Sequence, residues 1–102
     1  MGHFVVSFRI ERDGTYQERY ESLHQMVKAI STGYVWDETT SLYIFPAAGD
    51  AASVANTLYF QTQLLAPKDT IVVIDPIRST YAGYGLKYEA LLSAAIGMAQ
   101  LS

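Results

Sequence analysis

Cysteine is missing from this chain. It therefore has no disulfide framework, no thiolate zinc site and no thiol nucleophile, and a packed core must supply its stability. Charge is scarce as well. Asp, Glu, Lys and Arg make up 17% of the residues, against about 25% in ordinary globular domains. The formal charges sum to −3, so the domain-wide basic footprint of a nucleic-acid binder is absent. No apolar run approaches the ~20 residues of a membrane-spanning helix. The first residues have neither a charged leader nor an apolar stretch ending in small residues. Met1-Gly2 opens like a myristoylation signal, but Val6 stands where Ser or Thr is needed. The expectation is a cytoplasmic protein without membrane contact.

What is present is apolar: half of the 102 residues are hydrophobic. That length reads as a single domain, 1–102, with residues 76–102 as a C-terminal extension. A surface this poor in charge implies that a partner covers some apolar area.

Phe4, Val6, Phe8 and Ile10 alternate with Val5, Ser7 and Arg9, which is the period of a strand. Arg12-Asp13-Gly14 is turn chemistry. Thr15 through Glu18 reads as a capping box. Behind it, Tyr16, Tyr20, Leu23, Val27 and Ile30 form one stripe on a helix ending near Gly33. Tyr34 to Asp37 reads as a short second strand and Leu42 to Phe45 as a third, stopped by Pro46. Asp50 is the N-cap of a second helix carrying Val54, Leu58, Gln61 and Leu65 and ended by Pro67. Ile71-Val72-Val73-Ile74, within Thr70 to Asp75, is apolar on both faces, as a buried strand is. Pro76 to Gly85 reads as irregular, and about Leu86 to Leu101 as a terminal helix.

The expected fold class is α+β. The order βαββαβ is ferredoxin-like: an antiparallel sheet with two helices on one face, plus the C-terminal helical extension. The other face is then bare, and carries Val5 with either Val72 and Ile74 or Ile71 and Val73. A bare apolar face calls for a cover, and a two-fold homodimer through that face and the C-terminal segment is the expected one.

Three stretches carry a family resemblance: Phe4-Val5-Val6-Ser7-Phe8, then Tyr16 through Leu23, then Trp36 through Tyr43. Together with the element order from Phe4 to Asp75, the chain resembles the small bacterial SinR-like proteins, which are similar to the CRISPR-associated Cas-two proteins and the VapD-type toxin ribonucleases. The resemblance implies a ferredoxin-like dimer packed through sheet faces. It also implies either a metal-dependent nuclease or a structural adaptor that holds DNA. In the nuclease members an Asp follows an aromatic residue at the end of the first strand and gathers a divalent metal at the dimer axis. Here Phe8 is followed by Arg9, whose guanidinium repels a cation instead of ligating it.

Arg9 is the candidate anion-binding residue, its planar fork suiting phosphate or carboxylate. An ion pair with Glu11, Asp75 or an acid of a second copy is the simpler use of the same group. Glu11 and Asp75 are the catalytic or metal-ligating candidates if the nuclease alternative holds, with Mg2+ or Mn2+; otherwise no cofactor is expected. His24 lacks a second ligand at helical spacing and reads as a surface residue. Asp37-Glu38 reads as a solvated turn. Tyr81 and Tyr84, with Arg78 and Lys87 nearby, are candidates for a subunit contact or a base-stacking platform. The expected function is a non-catalytic, dimeric, Cas-two-like interaction or adaptor protein. A metal-dependent ribonuclease and a small anion-binding module are the alternatives.

Overall fold

The computed structural model describes residues 2–97 and the backbone of residues 99 and 100. Strand β1 (Gly2–Arg9) keeps the alternation of its sequence: Phe4, Val6 and Phe8 are buried, while His3, Ser7 and Arg9 are exposed. Helix α1 (Tyr16–Ile30) buries Leu23 and Val27 and packs Tyr16, Tyr20 and Ile30 against the core. Its start differs from the expected capping box. The Thr15 side chain caps nothing, because Asp13 accepts both the Thr15 amide at 3.0 Å and its hydroxyl at 3.1 Å.

The expected strand at 34–37 shrinks to one antiparallel bridge, in which Trp36 and Ile44 exchange two hydrogen bonds of 2.9 Å. The following residues, Asp37 to Ser41, are exposed and turn the chain back into β2 (Leu42–Ala47). β2 runs through Pro46 instead of stopping there. The Pro46 carbonyl accepts from Thr32 N on the outer side of the sheet, so its missing N–H costs no bond to β1.

Helix α2 (Ala51–Phe60) starts as expected: Asp50 accepts Ser53 N at 2.9 Å and Ser53 Oγ accepts Asp50 N at 3.0 Å. It ends earlier than expected, so Gln61 and Leu65 lie outside it. The backbone beyond Phe60 is drawn to other acceptors, Gln63 N to Ser22 Oγ and Leu65 N to Asp69 Oδ2, both at 3.0 Å.

β3 (Thr70–Asp75) continues into a hairpin with β4 (Thr80–Tyr84), where no strand was expected. Asp75 makes the turn: its Oδ1 accepts from the amides of Ile77 and Arg78, each at 3.1 Å. The terminal helix, α3 (Glu89–Ile96), is shorter than expected. It closes at Gly97 and leads into β5 (Ala99–Gln100). Met98, Leu101 and Ser102, which the expected helix reached or bordered, lie outside the described residues.

The sheet order is β2-β1-β3-β4-β5. β1 to β4 form a four-stranded antiparallel sheet, and β5 adds parallel to β4. The core lies on one face, where Phe4, Val6, Phe45, Ile71 and Val73 meet Leu23 and Val27 of α1 and Val54 and Leu58 of α2. Each such side chain is worth about 1.5–3 kcal/mol of burial. Both main helices therefore cover the same side, as the element order requires.

Candidate functional site

The opposite face of the sheet is where the expected contact residues gather. Strand register places Ile44, Val5, Ile74 and Tyr81 in one row across four strands, with Leu42, Ser7, Val72 and Gly83 in the next. The side chains open to this face are thus Val5, Val72 and Ile74, since Ile71 and Val73 point into the core. Ile44 is 38% exposed, and Val5, Val72 and Ile74 are half-buried. Tyr81 is fully buried although it shares the face of Ile74. Beside it, a Cβ on Gly83 would lie 3.2 Å from Leu86 Cδ1, so the chain after β4 overlies this end of the face.

Arg9 ends β1 on the same side, exposed, and is paired with no acid among the described residues. The expected ion pair to Glu11 or Asp75 is not formed. Asp75 lies at the opposite end of β3 and points to the helix side, where it is fully buried and pairs with Arg78 at 3.4 Å. Glu11 and Asp75 are likewise apart within the subunit. Asp75 lies beyond the Val5–Ile74 pair, and Val5 is itself six residues before Glu11, roughly 20 Å along a strand. Among the described residues no three His, Cys, Asp or Glu side chains cluster as a metal site.

The C-terminal candidates do not form one surface. Tyr81 is buried at the covered end of the open face. Tyr84 points to the helix side, stacks on Tyr59 with ring centres 4.3 Å apart, and donates its hydroxyl to Asn56. Arg78 reaches the Gly49 carbonyl at 2.9 Å, and Lys87 is exposed.

Two arrangements escaped the linear reading. The first is a buried clasp. Arg19, 1% exposed, donates Nε to Asp69 Oδ2 and Nη1 to Asp13 Oδ1, each at 2.8 Å, and Nη2 to the Glu11 carbonyl at 2.6 Å. Asp69 also accepts the amides of Glu11 and Leu65. Lys68 and then Arg19, both bonded to Asp13, hold its carboxyl well below the usual carboxylate range, and Asp13 in turn raises Arg19. The available signal was position: Arg19 falls on the apolar stripe of α1, four residues before Leu23.

The second is a cleft of about 360 Å3 between the start of α1, the end of β1 and the 37–42 loop. Phe8, Tyr16, Tyr20 and Tyr43 supply its rings, and Arg12, Asp37 and Glu38 its charges. Phe8 stacks on Tyr43 at 5.3 Å and Tyr16 on Tyr20 at 6.3 Å, and the Arg12 guanidinium carbon lies 4.7 Å from the Tyr16 ring centre. Tyr43 shares a 3.0 Å hydrogen bond with His24 Nδ1, and burial, reinforced by the neighbouring Tyr20, pushes its phenol up. His24 is thus tied into an aromatic cluster and is not a free surface histidine.

No protein-family model, curated protein or solved structure matches the chain.

Proposed function

We propose that this protein is a non-catalytic interaction module that pairs with a second copy of itself through the open face of its sheet. The observation that carries the reading is the row Ile44–Val5–Ile74, apolar across three strands and not covered by α1 or α2. Three strands at ~4.8 Å spacing and ~20 Å length give a face of roughly 300 Å2, and the apolar row is the central part of it. Its margins are polar, with His3, Ser7, Arg9 and Thr70, which is the anatomy of an interface core and rim. An isologous two-fold pairing satisfies such a patch with one surface. Two such faces bury at most roughly 600 Å2 together, less than a standard specific interface, so the pairing is weak and reversible.

The ferredoxin-like reading, and with it the resemblance to SinR-like, Cas-two and VapD-type proteins, draws support from the bridge at Trp36. That bridge lies outside β2 and extends the order to the 34–37 segment, β2, β1 and β3, with both helices on one side. The ribonuclease alternative is weakened by Arg9 at the position of the metal-binding Asp and by the separation of Glu11 from Asp75. Nucleic acid is not the favoured partner, because the net charge is −3 and Arg9 is the one Lys or Arg among the described open-face strand residues.

The test is molecular mass by analytical ultracentrifugation from low micromolar to millimolar concentration, for the native chain and Val5→Lys. Dimerisation of the native chain alone, with circular dichroism unchanged in the variant, is the expected result. A native chain monomeric throughout, or a variant that dimerises equally well, removes the proposal. Incubation with RNA and Mn2+ addresses the alternative: cutting that disappears in Glu11→Ala would replace the adaptor reading with the enzyme.

A further inference from the structure

We propose that the aromatic cleft at the start of α1 is a binding site for a guanidinium group, and that Arg12 occupies it from within the chain. The cleft's volume is at the low end of small-ligand sites. Its lining includes the rings of Phe8, Tyr16, Tyr20 and Tyr43, and aromatic faces carry negative quadrupole density that attracts cations. Asp37 and Glu38 stand on the opposite lip, and neither has an ion pair among the described residues. The charge of Asp37 adds to the upward push on the Tyr43 phenol. Thr39, Thr40 and Ser41 complete the lip.

Charge selects the class of ligand. An anion or nucleotide phosphate would meet two carboxylates and one guanidinium, and that guanidinium already lies over a ring. A cation meets two free carboxylates and aromatic rings. Arg12 shows which cation the rings accept: a planar guanidinium stacks on an aromatic face better than a compact, strongly hydrated ammonium does. Arg12 itself is exposed and is held by no acid among the described residues. An incoming guanidinium that also reaches Asp37 and Glu38 therefore displaces it at little cost. This inference is independent of the dimer, since the cleft lies at the start of α1, on the helix side.

The experiment is an NMR titration of the full chain that follows the ring protons of Tyr16 and Tyr20. The probes are N-acetyl-arginine amide as a model peptide side chain, methylguanidine as a free small molecule, the lysine amide, and AMP. Saturable binding of either guanidinium probe, tighter than the lysine amide, is expected; the ratio of the two guanidinium affinities identifies the source. Arg12→Ala should tighten binding about threefold, because a cation–π competitor is gone. Asp37→Asn with Glu38→Gln, both at exposed loop positions, should weaken it about tenfold. No saturable shift with either guanidinium probe in the native chain or Arg12→Ala overturns the proposal. So does lysine amide binding equally well, or AMP binding that Arg12→Ala abolishes, which would make Arg12 a phosphate ligand.

Discussion

Arg19 Nε donates to Asp69 Oδ2 at 2.8 Å across 50 residues of sequence, and both side chains are almost wholly withdrawn from water. The pair joins the first turn of α1 to the residue that precedes β3, and Asp69 draws in the amides of Glu11 and Leu65 as well. One carboxylate thus ties together the end of β1, a helix and the loop after α2.

Removing that carboxylate should therefore be severe. Asp69→Ala leaves a buried guanidinium short of its partner and two amides without acceptors, a loss of about 3–5 kcal/mol. For a domain whose total stability is of the order of 5–15 kcal/mol, much of the fold is lost. Asp69→Asn keeps one acceptor oxygen and should fall between. Urea midpoints of the three proteins measure this. If Asp69→Ala unfolds at the native urea concentration, the clasp is not a stabilising feature.

Gly85 touches the same residue from the other side. Its φ is +74°, and a Cβ there would stand 2.1 Å from the Asp69 carbonyl oxygen. Gly85→Ala adds left-handed strain and a backbone clash that no rotamer relieves. The expected cost is at least 1–3 kcal/mol, read as a fall in thermal midpoint. A stabilised Gly85→Ala would mean that the hairpin after β3 leaves the clasp in solution.

How much of this was legible follows from what each residue needs. Strand β1 and the stripe of α1 could be read directly, because Phe4, Val6, Phe8, Leu23 and Val27 meet the core at the periods of a strand and a helix. Asp50 could be read as a cap because its acceptor role is local, the Ser53 amide lying three residues on. Thr15 offers the same local motif, but Asp13 and Arg19 engage its side chain, and Arg19 is positioned by Asp69, far away in sequence. Strand β4 was hidden by its glycine. Gly83 lies where a Cβ would come 2.4 Å from the Ile71 carbonyl oxygen, so this strand requires the residue that normally argues against one. The aromatic cleft draws on three separate segments, so no single window contains it.

Acid stability should depend on Asp13. Its carboxyl is held well below the ordinary value of 3.8 by Lys68 and then Arg19. Asp50 is lowered too, chiefly by the Ser53 amide. A carboxyl with a lower pKa in the folded chain is deprotonated there while the unfolded chain still binds the proton. Its stabilisation is present above about pH 4 and is lost as the pH falls through the folded pKa. The native urea midpoint should drop steadily below pH 4, and Asp13→Asn should flatten that slope. Added salt should blunt it as well, since Lys68 and Asp13 are partly exposed. Parallel slopes for native and Asp13→Asn proteins would mean that other carboxyls carry the acid transition.

Tyr81 is fully buried, and its hydroxyl has no hydrogen-bond partner among the described residues. Burying an unpaired hydroxyl costs free energy that an apolar replacement of the same shape recovers. Tyr81→Phe should therefore raise stability by about 1 kcal/mol, or roughly 4–8 °C in thermal midpoint for a domain of this size. Tyr84→Phe is the contrast, since it removes a hydroxyl bonded to Asn56 and should not stabilise. The pair of melting curves separates the two faces of β4. A lower midpoint for Tyr81→Phe would show that the hydroxyl finds a partner in solution, and that the cover over this end of the sheet is wet or differently arranged.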